Sequence, residues 1–380
     1  MNFTSKLPDA SITIFTIMSK LAHKHNAINL AQGFPGFGSD PALHTLVTKA
    51  MEGGYNQYAP MAGVFSFRES ITNKINTLYR SDYHPETEIT ITAGATQAIF
   101  TIVSAFIHPG DEVIILKPAY DCYEPAVEVN GGKVVPIQLK APDYKVNWKA
   151  VENAITPKTR MLFINTPHNP TGTILEEDDM LELQRILEGT NIILLSDEVY
   201  EHMVFDGKRH ESIARYPELR NRSFITASFG KTFHTTGWKM GYAVGPKELM
   251  KEFQKVHQYN VFSVHHPSQI ALASYLNETN HYLKLNNFFE KKRDVFINAI
   301  KGSKFKATPS AGTYFQMLDY SEITKDNDTL FAEKLTKEHQ LASIPSSVFN
   351  LNQEDFKMLR FCFAKDDEVL KRAGDILCKL

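Results

Sequence analysis

Cysteine is scarce in this chain of 380 residues: there are three, Cys122, Cys362 and Cys378. They give no even set for a disulfide framework and no C-x-x-C pair, which fits a reducing compartment. Charge of one sign is missing too. Lysine and arginine total 41 against 43 aspartates and glutamates, a formal net charge of −2, so nothing electrostatic favours nucleic acid as a partner. Long hydrophobic runs are also lacking. The longest mostly apolar stretch, AIFTIVSAFI at 98–107, falls short of the roughly 20 residues a membrane span requires. No repeat, heptad run or low-complexity segment is present. The opening stretch MNFTSKLPDASITIFTIMSKLAHKH has no basic n-region and no small-residue cleavage site. Ile12, Phe15, Met18 and Ala22 recur at helical spacing, which predicts an amphipathic helix rather than a signal peptide. The expected location is the cytoplasm, with neither membrane nor nucleic acid as partner.

What is present is an ordinary globular composition, 43% hydrophobic and 22% charged, in a chain long enough for two or three domains. NLAQGFPGFGSD at 29–40 is glycine-rich, but no strand leads into it with the framing of a dinucleotide fingerprint and Pro35 interrupts it, so a Rossmann reading fails. From about residue 85 strands and helices alternate. EITITAG, DEVIILKP, GKVVPIQL, TRMLFINTP, NIILLSDEVY, RSFITASFG and WKMGYAVG read as strands; ATQAIFTIVSAFI and EEDDMLELQRILEG read as helices. That rhythm predicts an α/β fold, a mostly parallel central sheet flanked by helices. Residues 268–302 read as largely helical. GTYFQMLDY, LASIPSS and KMLRFCFA then read as strands before a closing helix, DEVLKRAGDILCKL. The expected division is 1–45, an N-terminal helix and loop within a small domain; 46–285, a large domain; and 286–380, a small C-terminal α+β domain.

Several strands end in functional groups, at the sheet edge where open α/β proteins bind ligands. MLFIN leads to Asn169 in TPHNPTG, IILLS to Asp197 and Tyr200, FITA to Ser228 and Lys231, and ITITAG to Thr96 at a helix start. Each has a plain explanation: NPTG is good turn chemistry, Asp197 a structural acid, Lys231 a solvated loop lysine, Thr96 an N-cap. Their shared edge argues for more. A helix N-terminus, a serine and a second cation, Lys239, suit a phosphate. A deep aspartate suits a cationic aromatic ring, and a lysine able to lose its proton suits a Schiff base. Phosphate, protonated pyridine and aldehyde together describe pyridoxal 5′-phosphate, PLP.

The stretches NLAQGFP, NQYAPMAG, ITAGATQAIF, GDEVIILKPAYDCYEP, NTPHNPTG, SDEVYEHMVFDG, SFGKTFHTTGWKMGY and RFCFA, in that order, make the chain similar to the class I aminotransferases. These are PLP enzymes of the aspartate-aminotransferase-like fold, and the resemblance is strongest to the branch of methionine and kynurenine aminotransferases. It implies that Lys231 carries the cofactor and then moves the proton from the substrate Cα to C4′, that Asp197 keeps the pyridine nitrogen protonated, and that Asn169 and Tyr200 bind the ring oxygen. It implies that Tyr120 stacks on the ring, while the amides of Ala95 and Thr96, with Ser228 and Lys239, hold the phosphate. Tyr58 would reach the phosphate of a second subunit, giving a homodimer with shared sites. Arg360 would grip the substrate α-carboxylate, with Asn169 beside it and Gly33 letting backbone approach.

By the same resemblance Phe15, Tyr120, Phe262 and Phe349 line the side-chain pocket. No arginine is placed for a second carboxylate, so the expected reaction moves the amino group of a bulky neutral L-amino acid to a 2-oxo acid, methionine first and aromatic acids second. Three positions depart from common family choices: Lys239 where arginine is frequent, His265 and His266 where Asn-Thr is frequent, and Ala95, which offers no side-chain donor. A kynurenine aminotransferase or cysteine-S-conjugate β-lyase uses the same residues and stays open. A non-catalytic sensing domain would need an appended DNA-binding unit, which residues 1–30 do not hold, and would leave Lys231 and Asp197 without purpose. His23 and His25 do not share a helix face, and Glu198 with His202 does not make H-E-x-x-H, so no metal is expected.

Overall fold

The computed structural model describes residues 4–8, 10 and 12–380. Residues 1–3, on which part of the expectation about a leader rests, lie outside the described set. Twelve strands are formed among the described residues: β1 Ile28–Asn29, β2 Ile89–Thr92, β3 Glu112–Lys117, β4 Lys133–Gln138, β5 Thr159–Asn165, β6 Ile193–Asp197, β7 Ser223–Ser228, β8 Gly241–Val244, β9 Phe315–Asp319, β10 Leu341–Ala342, β11 Ile344–Pro345 and β12 Met358–Cys362.

Seven of them form one sheet in the order β2-β8-β7-β6-β5-β3-β4. β4, β3, β5, β6 and β7 are parallel, and β8 runs against both of its neighbours. Every residue of β3, β6 and β8 is buried, as the unbroken apolar runs of a sheet covered on both faces require. Alternate residues serve opposite faces. Val113, Ile115, Met161, Phe163, Ile193 and Leu195 join one apolar cluster, while Ile114, Leu162, Ile164 and Leu194 join the other. The helix Ala95–Phe106 packs on β7 and β8 from one side.

A second sheet, β11-β12-β9, is antiparallel with β12 at its centre. β1 and β10 form a short parallel pair. The expected strand LASIPSS is thus two strands: β10 turns to β1, and after Ser343, β11 turns to β12. Segment 28–33 is fastened to this region, with Leu30 N–H donating to Ala342 O (3.0 Å) and Cys362 N–H to Leu30 O (2.8 Å).

The N-terminal helix spans Ile14–Lys24, with Met18 and Ala22 on its buried face. Ile12, expected in that apolar stripe, lies before the helix and is 63% exposed, because the Thr13 side chain caps the helix at the Thr16 amide. The helical stretch at 268–302 is three helices, His266–Leu276, Asn280–Leu283 and Leu285–Ala299. Among the described residues no helix is long and apolar enough to cross a membrane.

Candidate active site

The strand order brings the sequence-predicted residues to one edge. Asn165 ends β5 opposite Asp197 at the end of β6, and Asp197 lies opposite Thr226 of β7. Because β8 is reversed, its first residue meets its neighbours' last: Gly241 pairs with Ser228 on one side and Thr92 on the other. Lys239, two residues earlier, is therefore delivered beside Ser228 and the loop after β2. A Cβ on Gly241 would stand 2.6 Å from Ala227 O and 3.0 Å from Ala95 N, so glycine is what lets the three segments close.

Gly94, with φ 81°, occupies the N-cap position of the helix Ala95–Phe106. Thr96, read as a plausible N-cap, is instead the second helical residue. The first-turn amides of Ala95 and Thr96 have no carbonyl one turn back to accept from them, and they carry the positive end of the helix dipole. The Lys239 ammonium lies beside the start of this helix, its Nζ 3.4 Å from where a Cβ on Gly94 would be. Lys239 itself adopts a left-handed φ of 53°, a strained conformation for a non-glycine residue. Amides, ammonium and the Ser228 hydroxyl form a cup for a dianion.

Across the cavity from this cup is Asp197, 4% exposed. Burial raises its carboxyl to about 6, against hydrogen bonds from the Tyr123 hydroxyl (2.6 Å) and the Val199 amide (3.3 Å) and the attraction of Lys231. Lys231 lies half-buried in the wall, its Nζ donating to Gly33 O at 3.0 Å. Burial lowers its ammonium to about 8, with Arg360 and Lys239 pushing the same way and Asp197 opposing. The cavity they share is about 140 Å³ and is also lined by Gly94, Ala95, Thr96, Tyr120, Asn169, Tyr200, Ser228 and Lys239. A dianion cup, a buried carboxylate and an amine that titrates near neutrality fit PLP: the phosphate, the ring nitrogen and the aldehyde each find a complementary group. A larger cavity of about 870 Å³ lies behind the NPTG loop, and neither Lys231 nor Asp197 lines it.

Arg360, at the centre of β12, is 1% exposed. Its guanidinium donates to Asn169 Oδ1 (2.8 Å) and Ala31 O (3.2 Å), while Nε has no partner. Among the described residues it makes no ion pair. Three rings enclose it instead, with centroids 4.0 Å (Phe315), 5.2 Å (Phe15) and 5.3 Å (Phe349) from Cζ. Burial lowers its pKa to about 10, which leaves it cationic at neutral pH. A buried cation with a spare donor and no carboxylate in direct contact is poised for an anion from outside.

Other residues fall elsewhere. Tyr58 is 81% exposed and packs on Phe262 at 5.4 Å, and the rings found over the Arg360 guanidinium are those of Phe15, Phe315 and Phe349. His265 bonds Ser268, and His266 faces the Gln57 carbonyl. Sequence reasoning missed Tyr123, Phe315 and Tyr314, whose hydroxyl donates to Gly33 O at 2.6 Å. It also missed what braces SDEVYE from beneath. Glu198 bonds Ser196 and His210, and Glu201 bonds Lys74, Tyr79 and Tyr242. Acids in such a run look like surface charge; only the turn after β6 buries them.

The profile of a family described as "Aminotransferase class I and II" matches residues 25–377. A methionine aminotransferase of Escherichia coli (strain K12) is 43% identical over 377 residues, covering 99% of this chain and 98% of that one. A solved Escherichia coli structure described as identifying a methionine aminotransferase function superposes with a TM-score of 0.98 at 43% identity, covering 100% of both chains. A kynurenine–oxoglutarate transaminase of Dictyostelium discoideum is 32% identical over 410 residues, covering 97% of this chain and 94% of that one.

Proposed function

The chain belongs to the class I and II aminotransferases, PLP-dependent transaminases of the aspartate-aminotransferase-like fold, and from that premise we propose that its preferred amino donor is methionine, with aromatic amino acids second and a 2-oxo acid as acceptor. The observation that carries the preference is the ring cage around Arg360. Each methylene buried among such rings is worth about 0.8 kcal/mol, and a thioether suits contact with ring edges. A side-chain carboxylate there has no cation left to meet and is disfavoured by several kcal/mol. The same cage accepts an aryl group, and a kynurenine transaminase is among the relatives.

Bound PLP supplies a ring that draws off the electron pair freed at the substrate Cα. Burial lowers the Lys231 ammonium to about 8, so it would give up its proton far more readily than a solvated lysine; as the free amine it would hold the cofactor and, once displaced by substrate, would carry the proton between the substrate Cα and C4′. Asp197 would face the ring nitrogen and keep a proton on it. Asn169 and Tyr200 would bind the ring oxygen, and Tyr120 would cover the ring. Ala95, Thr96, Ser228 and Lys239 would hold the phosphate. Arg360 would take the α-carboxylate beside the Gly33 backbone.

The working unit is a homodimer. Tyr58 and Phe262 form an exposed aromatic pair, a surface better covered than wet, and from there Tyr58 reaches the partner's phosphate cup. The division 1–45, 46–285 and 286–380 follows the two main sheets, and three free cysteines suit the cytoplasm. A donor screen of the twenty amino acids plus kynurenine, with mass detection of the oxo acids, tests the preference. Aspartate turning over faster than methionine at equal concentration, with one acceptor, overturns it.

A further inference from the structure

Tyr123 has no place among the roles above, yet among the described residues it makes the one hydrogen bond that the Asp197 carboxylate accepts from a side chain, to Oδ2 at 2.6 Å. It begins the helix Tyr123–Val129 and is buried. Its ring is held edge-on by Tyr120 (5.8 Å, 77°) and by Phe163 (5.3 Å, 67°). One side chain therefore braces both the carboxylate under the cofactor and the aromatic ring expected to cover it. Burial and the neighbouring Asp197 charge hold the Tyr123 phenol well above its ordinary range, so it donates and does not ionise at any working pH. The other groups that act on Asp197 are the Val199 amide, Lys231 and Glu198; Cys122 and Tyr120 face it as neutral groups, since burial raises both.

A donor on a carboxylate stabilises its ionised form and lowers its affinity for a proton. A proton shared between that carboxylate and a ring nitrogen then rests on the nitrogen. We propose that Tyr123 is the positioning residue for Asp197: its hydroxyl keeps the carboxylate ionised and fixed in orientation, and so keeps the proton on the pyridine nitrogen of PLP.

Tyr123→Phe retains the ring contacts and removes only the donor. Apoprotein should bind PLP about tenfold or more weakly, the scale of one hydrogen bond to a charged group. The pH profile of the bound cofactor's absorbance should shift, and kcat for methionine should fall with little change in KM. Binding of the PLP analogue with C–H in place of the ring nitrogen should be unaltered. Equal weakening for PLP and the analogue, or none for either, overturns the proposal. If Tyr123→Phe does not fold, fluorotyrosine at position 123, a stronger donor of the same shape, should shift the absorbance profile in the opposite direction to that expected for phenylalanine, and an unmoved profile overturns the proposal equally.

Discussion

The guanidinium carbon of Arg360 lies 4.0 Å from the centroid of the Phe315 ring, closer than any other cation–ring contact among the described residues. Arg360 makes no ion pair among the described residues, and the ring face adds negative potential to that of the two carbonyl oxygens it bonds. Such a contact is worth about 2 kcal/mol when desolvated. Phe315→Leu should therefore raise KM for methionine roughly 10- to 30-fold, with a smaller change in kcat. Unchanged KM would show that the hydrogen bonds to Asn169 and Ala31 alone hold the guanidinium.

Lys231→Ala tests the chemistry. PLP should still bind through the dianion cup and Asp197, while transamination falls by at least about 10³-fold, as expected for loss of a proton-transferring group that also carries the cofactor. Borohydride should fix the cofactor in the wild-type protein at Lys231 and nowhere in the variant. Near-normal turnover by Lys231→Ala would remove the lysine from the mechanism.

The pH dependence of the apoprotein follows from Asp197. Its carboxyl gives up a proton near 3.8 when unfolded and near 6 when folded. Between those values the unfolded chain binds fewer protons, so stability that is fully present at low pH is lost as pH rises through 6. The whole loss is about 3 kcal/mol by linkage. Asp197→Asn escapes it. In denaturant titrations of apoprotein, the variant's advantage over wild type should grow by about 1–2 kcal/mol between pH 5 and pH 8; a constant gap would mean that Asp197 is not desolvated.

Tyr58 tests the shared site. Tyr58→Phe and Lys231→Ala homodimers should each be poorly active. Mixed under conditions of subunit exchange, they should form hybrids in which one site carries both lesions and the other neither, and activity should recover. Demonstrated exchange without recovery would place Tyr58 outside its neighbour's site.

The site was legible where a polar group interrupts an apolar run. Asp197 and Ser228 close strands, and Asn169 and Lys231 come a few residues after strand ends; the burial pattern marks those ends, and parallel topology then forces them to one edge. Arg360 was legible through family resemblance alone, because a charge inside RFCFA carries no local sign of what surrounds it. Phe315 and Tyr123 were invisible for the opposite reason: an aromatic in an apolar stretch reads as core, and both do pack in the core while acting on a charge. The plain alternative for Thr96, an N-cap, does not hold, because Gly94 takes that place with a φ of 81°. LASIPSS reads as one strand because its apolar spacing does not show that two different partners divide it.

The fastening of segment 28–33 has a mechanical meaning. Through Leu30 it is bonded to Ala342 and Cys362, and Ala31 receives a bond from Arg360 itself. The segment is therefore bonded to β12, while its Gly33 carbonyl accepts from Lys231, which stands in the short helix after β7 of the other sheet. One short stretch of backbone thus joins the two sheets, with the acceptor for the guanidinium and the acceptor for the amine two residues apart.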